Sequence, residues 1–166
     1  MTNEELLEII AQAAQDKVSS LNLSGKKLTA LPPEIGNLTN LEWLNLHDNQ
    51  LTVLPPEIGS LTNLRWLNLY NNQLKTLPAE ISQLTNLIWL SLNNNQLTVL
   101  PPSILELTNL IRLSFSSNQL TALPNELANL TNLIEFKLNS NPLISPPPEI
   151  VQQGTQAILA YLREQL

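Results

Sequence analysis

A pattern of nine leucine, isoleucine, asparagine and proline positions recurs every 23 residues along most of this chain, and it restricts the fold more than any other feature. One complete copy consists of Leu41, Leu44, Leu46, Asn49, Leu51, Leu54, Pro55, Ile58 and Leu61. Further copies begin at Leu64, Leu87, Leu110 and Leu133, and an upstream copy begins at Val18. A fixed period of about 20 to 50 residues is the signature of a chain built from stacked structural units.

Each copy contains a Leu-x-Leu pair, with Phe115 and Phe136 replacing one leucine in the fifth and sixth copies, and this alternation of apolar and polar residues predicts a short, half-buried strand. The rest of each copy is long enough to return to the start of the next strand, so stacked copies form a parallel sheet. One copy buries only about six or seven aliphatic side chains, at roughly 1.5–3 kcal/mol each. Because chain entropy opposes that gain, no copy is expected to fold alone.

This spacing resembles the leucine-rich-repeat family over about residues 18–150. The resemblance implies an α/β fold: a leucine-rich-repeat solenoid, or horseshoe, with a parallel β-sheet on its concave face and helical caps at both ends. About six repeats of 23 residues are expected. Their predicted bounds are 18–40, 41–63, 64–86, 87–109, 110–132 and 133–150.

Both ends of the array need covers, because an open solenoid end exposes apolar core and an unpaired strand edge. Thr2 and Glu5 have the spacing of a capping box, and apolar residues at helical spacing follow, which predicts a helix over 3–16. Near the other end, a second amphipathic stretch predicts a helix with Thr155 as its N-cap. The expected units are an N-terminal helical cap over 1–17 and a C-terminal helical cap or junction over 151–166.

The two ends of the chain resemble the leucine-rich region that precedes the GTPase module of bacterial Roco (Roc-COR) proteins. The opening reads MTNEELLEIIAQAA and LNLSGKKLTALPPEIG, and the closing segment reads PPPEIVQQGTQAILAYLREQL. In that family a Ras-like GTPase domain with a phosphate-binding loop comes next, and this chain stops before one begins. The resemblance therefore implies a bacterial domain fragment or a short relative, to which no GTPase residue is carried over.

Two polar columns of the repeat are expected to be structural rather than ligand-binding. An asparagine lies where the chain leaves each strand, and its amide can satisfy buried backbone groups there. This column is Asn49, Asn72, Asn95, Asn118 and Asn141, with Lys26 in the first copy. A glutamate follows the prolines of the return segment, where its charge complements the start of a short helical turn on the convex face. The glutamates are Glu34, Glu57, Glu80, Glu126 and Glu149.

No catalytic or metal chemistry is predicted. His47 is the only histidine and the chain has no cysteine, so a catalytic triad, a zinc site or a Cys/His pair cannot be assembled within one chain. The four glycines are too scattered for a phosphate-binding or dinucleotide-binding loop. We therefore expect no catalytic residue, no metal and no cofactor.

Charge and hydropathy restrict the partners and the compartment. Fourteen acidic residues against eight basic ones, with no basic cluster, argue against nucleic acid. No apolar run reaches the roughly 18 residues of a membrane span, so no membrane partner is expected. The absence of cysteine removes the disulfide-bonded caps of secreted repeat proteins and favours a reducing, cytoplasmic location.

The residues that alternate with the core leucines point outward from the predicted sheet. All three tryptophans fall in one column, and strands about 4.8 Å apart would align them as a stripe. Even half exposed, three indoles present a few hundred Å², which is typical of interaction sites. The alternative is that they only stack on one another and stiffen the sheet. The predicted ligand-binding residues are Trp43, Trp66, Trp89, His47, Tyr70, Asn45, Asn68 and Arg112.

The sequence favours a non-enzymatic protein-binding scaffold that uses the concave face. Its partner would be another protein or another domain of the same chain. One alternative is self-association, as a weak homo-oligomer, or regulatory docking within a GTPase-containing Roco protein. Another is a carbohydrate-binding platform, in which Glu42, Asn45, Asp48 and Asn68 would supplement the tryptophan rings.

Overall fold

The computed structural model describes residues 1–166 and contains a single six-stranded parallel sheet with its strands in sequence order. Each strand is three residues long and has a buried or partly buried apolar residue at its centre, which is leucine in β1 to β5 and Phe136 in β6. The solenoid fold is therefore confirmed, with parallel strands on one side, short helical turns on the other and helices at both ends. The strands are β1 (Ser20–Asn22), β2 (Trp43–Asn45), β3 (Trp66–Asn68), β4 (Trp89–Ser91), β5 (Arg112–Ser114) and β6 (Glu135–Lys137).

The period of the sequence determines the register of the sheet. Leu44 pairs with Leu67, and Leu67 pairs with Leu90, so each core leucine stacks on its equivalent in the next coil. All three are completely buried. The buried apolar side chains form one continuous cluster from the first helix to the last, so every coil contributes to the same core.

Short 3₁₀ helices form the side of the solenoid opposite the sheet. They cover Pro33–Asn37, Pro56–Ser60, Ala79–Gln83, Pro102–Glu106 and Asn125–Asn129. A proline precedes each one, and its missing N–H is tolerated there because the first amide groups of a helix have no partner within it. Neighbouring turns approach closely: a Cβ added at Gly59 would lie 2.7 Å from the Glu80 carbonyl oxygen, so this position requires glycine.

The asparagine column hydrogen-bonds to backbone groups of two neighbouring coils. Asn95 Nδ2 donates to the carbonyl oxygens of Leu69 at 3.0 Å and Leu92 at 3.1 Å, and Asn95 Oδ1 accepts from the Leu74 amide at 3.0 Å. Each amide therefore satisfies backbone groups where the chain bends away from the strand. The same pattern recurs at Asn49, Asn72, Asn118 and Asn141.

Replacing Asn95 with alanine is expected to lower the free energy of unfolding by about 1–3 kcal/mol, because it leaves the buried Leu74 N–H without an acceptor. Glu80→Ala is the matched control. Glu80 lies in the first turn of a 3₁₀ helix and makes no side-chain hydrogen bond, so its loss should cost well under 1 kcal/mol. Denaturant titration ranks the two variants. Equal midpoints for both variants and the parent would contradict the structural role of the asparagine column.

The N-terminal helix α1 (Asn3–Gln15) covers the first coil. Its predicted capping box is present, since Thr2 Oγ1 accepts from the Glu5 amide at 3.1 Å and the Glu5 carboxylate accepts from the Thr2 amide at 2.7 Å. The helix ends one residue earlier than the sequence predicts. Its buried side chains are Leu6, Ile10 and Ala13.

Two helices close the other end: α2 (Pro148–Val151) and α3 (Thr155–Arg163). The prediction that Thr155 is the N-cap of the last helix is wrong. Gly154 is the N-cap residue, with a φ of 91° that favours glycine, and Thr155 is the first helical residue. The Thr155 hydroxyl instead accepts a hydrogen bond at 2.8 Å from the Phe136 amide of β6, which would otherwise be an unpaired edge-strand donor.

Candidate binding face

The three tryptophans lie in one column at the beginning of β2, β3 and β4. Trp43 pairs with Trp66, and Trp66 pairs with Trp89, on the outward surface of the sheet, which we call the concave face. Trp66 is 38% exposed, whereas Trp43 and Trp89 are half-buried. The neighbouring outward position is occupied by Asn68 and the buried Ser91, so small polar residues border the indoles.

Arg65 contributes to this face although the sequence analysis did not identify it. Its guanidinium carbon lies 5.3 Å from the centroid of the Trp66 ring, within the range of a cation–π interaction. Arg65 lies immediately before β3, so it is not among the alternating strand residues that were predicted to point outward. The geometry indicates that the Trp66 ring attracts a cation.

Asn45 and Asn68 have their side-chain oxygens engaged in local turns. Asn45 Oδ1 accepts from the His47 amide at 3.3 Å, and Asn68 Oδ1 accepts from the Tyr70 amide at 3.1 Å. Asn45 is also only 7% exposed. These oxygens help to direct the chain out of the strand, which leaves the Nδ2 group of the half-buried Asn68 as the part available to a ligand.

A ladder of exposed side chains runs along the edge of the concave face where the strands end. His47 Nδ1 lies 2.8 Å from Asp48 Oδ2, and Asn71 Nδ2 donates to Asp48 Oδ1 at 2.6 Å. Asn94 Nδ2 in turn donates to Asn71 Oδ1, also at 2.6 Å. Tyr70 lies beside this ladder with 43% of its surface exposed. The sequence signal was a column of Asp and Asn at the 23-residue period, which the sequence analysis did not interpret.

This edge ladder depends on an unusual backbone conformation. Asp48, Asn71, Asn94 and Ser117 all have φ values of 55–56°, in the left-handed region that asparagine and aspartate tolerate better than other non-glycine residues. Hydrogen bonds from Asn71 and His47 hold the pKa of the Asp48 carboxyl below its usual value. Asp48 therefore remains negatively charged at neutral pH and supplies an anionic group beside His47 and Asn71 at this edge of the concave face.

Ser117→Asn is expected to raise the free energy of unfolding by roughly 0.5–1 kcal/mol, because asparagine adopts the left-handed conformation more readily than serine. An amide at this position would also extend the ladder toward Asn94, whose Nδ2 already bonds the preceding coil. Ser117→Val is the control, since a β-branched side chain is strained at this φ and should destabilise the fold. Chemical denaturation measures both. A destabilised Ser117→Asn would contradict this account of the ladder.

The far end of the concave face carries an ion-paired cluster. Arg112 Nε lies 3.3 Å from Glu135 Oε2, and Lys137 Nζ lies 2.7 Å from Glu135 Oε1. The Lys137 hydrogen bond, together with both positive charges, holds the pKa of Glu135 below its usual value. Arg112 therefore has a carboxylate partner but keeps 61% of its side-chain surface exposed.

The chain contains no group of three or more His, Cys, Asp or Glu side chains that could hold a metal ion. None of its helices is both long enough and apolar enough to span a lipid bilayer.

The parallel sheet and its open, polar and aromatic face define a solenoid repeat protein. More specifically, the chain belongs to the leucine-rich-repeat family. The sequence family described as "Leucine-rich repeat region" matches residues 56–156, and the one described as "Leucine rich repeat" matches residues 16–74. Among curated proteins, none matches the chain significantly.

Several solved leucine-rich-repeat structures are similar to this chain. The ectodomain of the Arabidopsis thaliana receptor kinase SOBIR1 is 31% identical, with a TM-score of 0.64 over 74% of this chain and 71% of its own length. The Leptospira interrogans protein LIC12759 is 35% identical, with a TM-score of 0.55 over 85% of this chain and 48% of its own. The ectodomain of Arabidopsis thaliana GASSHO1/SCHENGEN3, solved with CASPARIAN STRIP INTEGRITY FACTOR 2, is 34% identical, with a TM-score of 0.68 over 81% of this chain and 17% of its own.

Proposed function

We propose that this chain is a non-enzymatic scaffold that binds another protein, or another domain of its own chain, through the concave face. The observation that carries the proposal is the tryptophan column, aligned in register across three coils with Trp66 38% exposed. Large aromatic side chains surrounded by small polar residues concentrate binding energy in protein interfaces. The similar GASSHO1/SCHENGEN3 ectodomain was solved in complex with a named partner, which supports partner binding by this family.

Several features of this face suit a protein partner. Aromatic, cationic and anionic groups lie within a few coils: Trp66 and Tyr70 in the centre, Asp48 at one edge, and Arg112 at the far end. Their core neighbours, such as Leu67 and Leu69, are completely buried, so the rigid sheet below holds these groups in position. Such preorganisation reduces the entropy lost on binding.

Affinity capture with matched variants tests this proposal. The intact chain, a concave variant (Tyr70→Ala) and a convex variant (Glu57→Ala) are immobilised at equal density. A specific partner should be retained by the intact chain and by Glu57→Ala, and should be depleted on Tyr70→Ala. Equal retention by all three chains would contradict use of the concave face.

We further propose, from the resemblance of the two ends, that the chain corresponds to the leucine-rich region of a bacterial, cytoplasmic Roco-like protein. The expected units remain an N-terminal cap over 1–17, repeats over 18–150 and a C-terminal cap or junction over 151–166. In this setting the concave face would serve for weak self-association or for docking a GTPase domain. Size-exclusion chromatography with light scattering tests self-association, and a monomer at every concentration would contradict it.

Carbohydrate binding is the other candidate for the same face. It is favoured by the exposed Trp66 ring, by the Asn68 amide on the same strand and by the Asp48 carboxylate at the edge of the concave face. A glycan array separates the two candidates. A saturable signal from the intact chain that is lost in Trp66→Ala supports sugar binding, and the lack of any signal from the intact chain supports a protein partner.

A further inference from the structure

A groove runs beside the tryptophan column, along the edge of the sheet where the strands begin. Its volume is about 620 Å³, and it extends from Glu42 in the second coil to Ile134 in the sixth. The residues immediately before β2 to β6 line it, together with the asparagine two residues before each of the last four. We call it the rim groove.

A row of oriented amides lines the rim groove. Asn63 Nδ2 donates to the Thr39 carbonyl oxygen at 2.8 Å, and Asn86 Nδ2 donates to the Thr62 carbonyl oxygen at 2.9 Å. Asn109 and Asn132 repeat this bond to the coil before them. None of these four Oδ1 atoms accepts a hydrogen bond from the protein, and each Nδ2 has a second hydrogen. Each amide therefore offers one donor and one acceptor to a ligand.

A row of isoleucines also lines the rim groove. Ile88 and Ile111 are half-buried, and Ile134 is 71% exposed. The scaffold does not require an apolar residue here, because the same position holds Glu42 and Arg65 in earlier coils. The isoleucine row is therefore a property of the surface rather than of the core.

The charges of the rim groove lie at one end. Arg65 is held against the Trp66 ring, on the tryptophan column. Glu42 is exposed, and its carboxylate makes neither an ion pair nor a hydrogen bond within the chain. A positively charged group on a ligand would complement it.

We propose that the rim groove binds an extended segment of a partner protein, with a basic residue at the Glu42 end and apolar residues along the isoleucine row. Four steps of about 4.8 Å between coils give roughly 19 Å, the length of about six extended residues. A peptide backbone supplies the donors and acceptors that the free amides need, whereas an acyl chain would leave them unpaired. The proposal rests on the proposed function, and it adds a strip next to the concave face.

Peptide selection on matched variants tests this inference. A phage library of random 12-residue peptides is selected on the intact chain, and the binders are measured on Ile111→Glu, Ile134→Glu, Glu42→Lys and Trp66→Ala. We expect a class of binders that carries a basic residue ahead of or behind an apolar stretch. Its members should bind Ile111→Glu and Ile134→Glu at least tenfold more weakly, and reselection on Glu42→Lys should replace the basic residue with an acidic one.

The variants distinguish loss of folding from loss of binding, and the rim groove from the concave face. Ile134 is mostly exposed, so Ile134→Glu should fold like the parent even if Ile111→Glu does not. Binders that are weakened by Trp66→Ala and unaffected at both isoleucines would support the concave face and overturn the rim groove. Loss of affinity at the isoleucines alone would support the rim groove as a site that binds peptides without help from the tryptophan column. An unchanged charge preference on Glu42→Lys would overturn the predicted orientation.

Discussion

A chain that lacks residues 155–166 is expected to lose its monomeric state and to aggregate at concentrations at which the full chain remains soluble. The deleted segment includes α3, whose Ile158, Leu159 and Leu162 side chains are almost completely buried, and which packs against the 3₁₀ helix Asn125–Asn129, α2 and β6. Its removal exposes the core beneath it and frees the Phe136 amide at the edge of β6. Uncapped solenoid ends and free strand edges both favour association.

Two point variants distinguish the packing of α3 on the core from its protection of the β6 edge. Ile158→Ala should lower the free energy of unfolding by about 2–5 kcal/mol, as expected for a large aliphatic residue removed from a core. Thr155→Ala removes the acceptor of the Phe136 amide and should cost about 1–3 kcal/mol. Light scattering and denaturant titration report both effects. A truncated chain that stays monomeric and equally stable would mean that this segment is not a cap.

The repeat period made most of the fold predictable. Once Leu44, Leu67 and Leu90 are known to recur at 23 residues in a strand pattern, parallel stacking places them in one buried row. The same reasoning placed Trp43, Trp66 and Trp89 in one outward column. The role of that column in binding stays a prediction, because alignment by itself is compatible with stacking alone.

Features between the strands were less predictable because they depend on backbone geometry. The Asp48 and Asn71 side chains meet only because both residues adopt a left-handed conformation, which the hydropathy pattern does not encode. Thr155 has the residue type of a helix cap, yet Gly154 occupies the cap and leaves the Thr155 hydroxyl to the neighbouring strand. Residues before a strand, such as Arg65, lie outside the in-and-out alternation of the strand. Their contacts with the concave face could therefore be identified only from the structure.

The convex turns and the concave face of the solenoid place different restrictions on their side chains. On the convex side, Glu57 lies in a turn whose close approach to its neighbours leaves room only for glycine at position 59. On the concave side, the first outward position changes from Trp89 to Arg112 and then to Glu135 while the strand register is kept. The concave positions therefore accept side chains of different size and charge, whereas the restriction at Gly59 is local, since the equivalent convex positions include Ser82, Leu105 and Ala128.

Replacing Trp66 with alanine is expected to weaken partner binding by roughly 2 kcal/mol or more, which is about 30-fold in Kd. The central tryptophan has neighbours of its own kind on both sides and is 38% exposed, so its loss divides the aromatic surface. Folding should change little, because the ring lies outside the leucine core and its contact with Arg65 is worth about 0.5–1 kcal/mol. Titration calorimetry gives Kd, and denaturation gives the midpoint.

Fluorescence provides an independent check on the same variant. The emission lost in Trp66→Ala should be the red-shifted, acrylamide-quenchable part of the parent spectrum, because this indole is more exposed than Trp43 and Trp89. Partner binding to the parent should shift that component to the blue as the ring is desolvated. Glu57→Ala, on the convex side, should alter neither the affinity nor the spectrum. If Trp66→Ala instead unfolds the chain, or removes a blue, unquenched component, the tryptophan column stiffens the sheet and the concave-face proposal loses its main support.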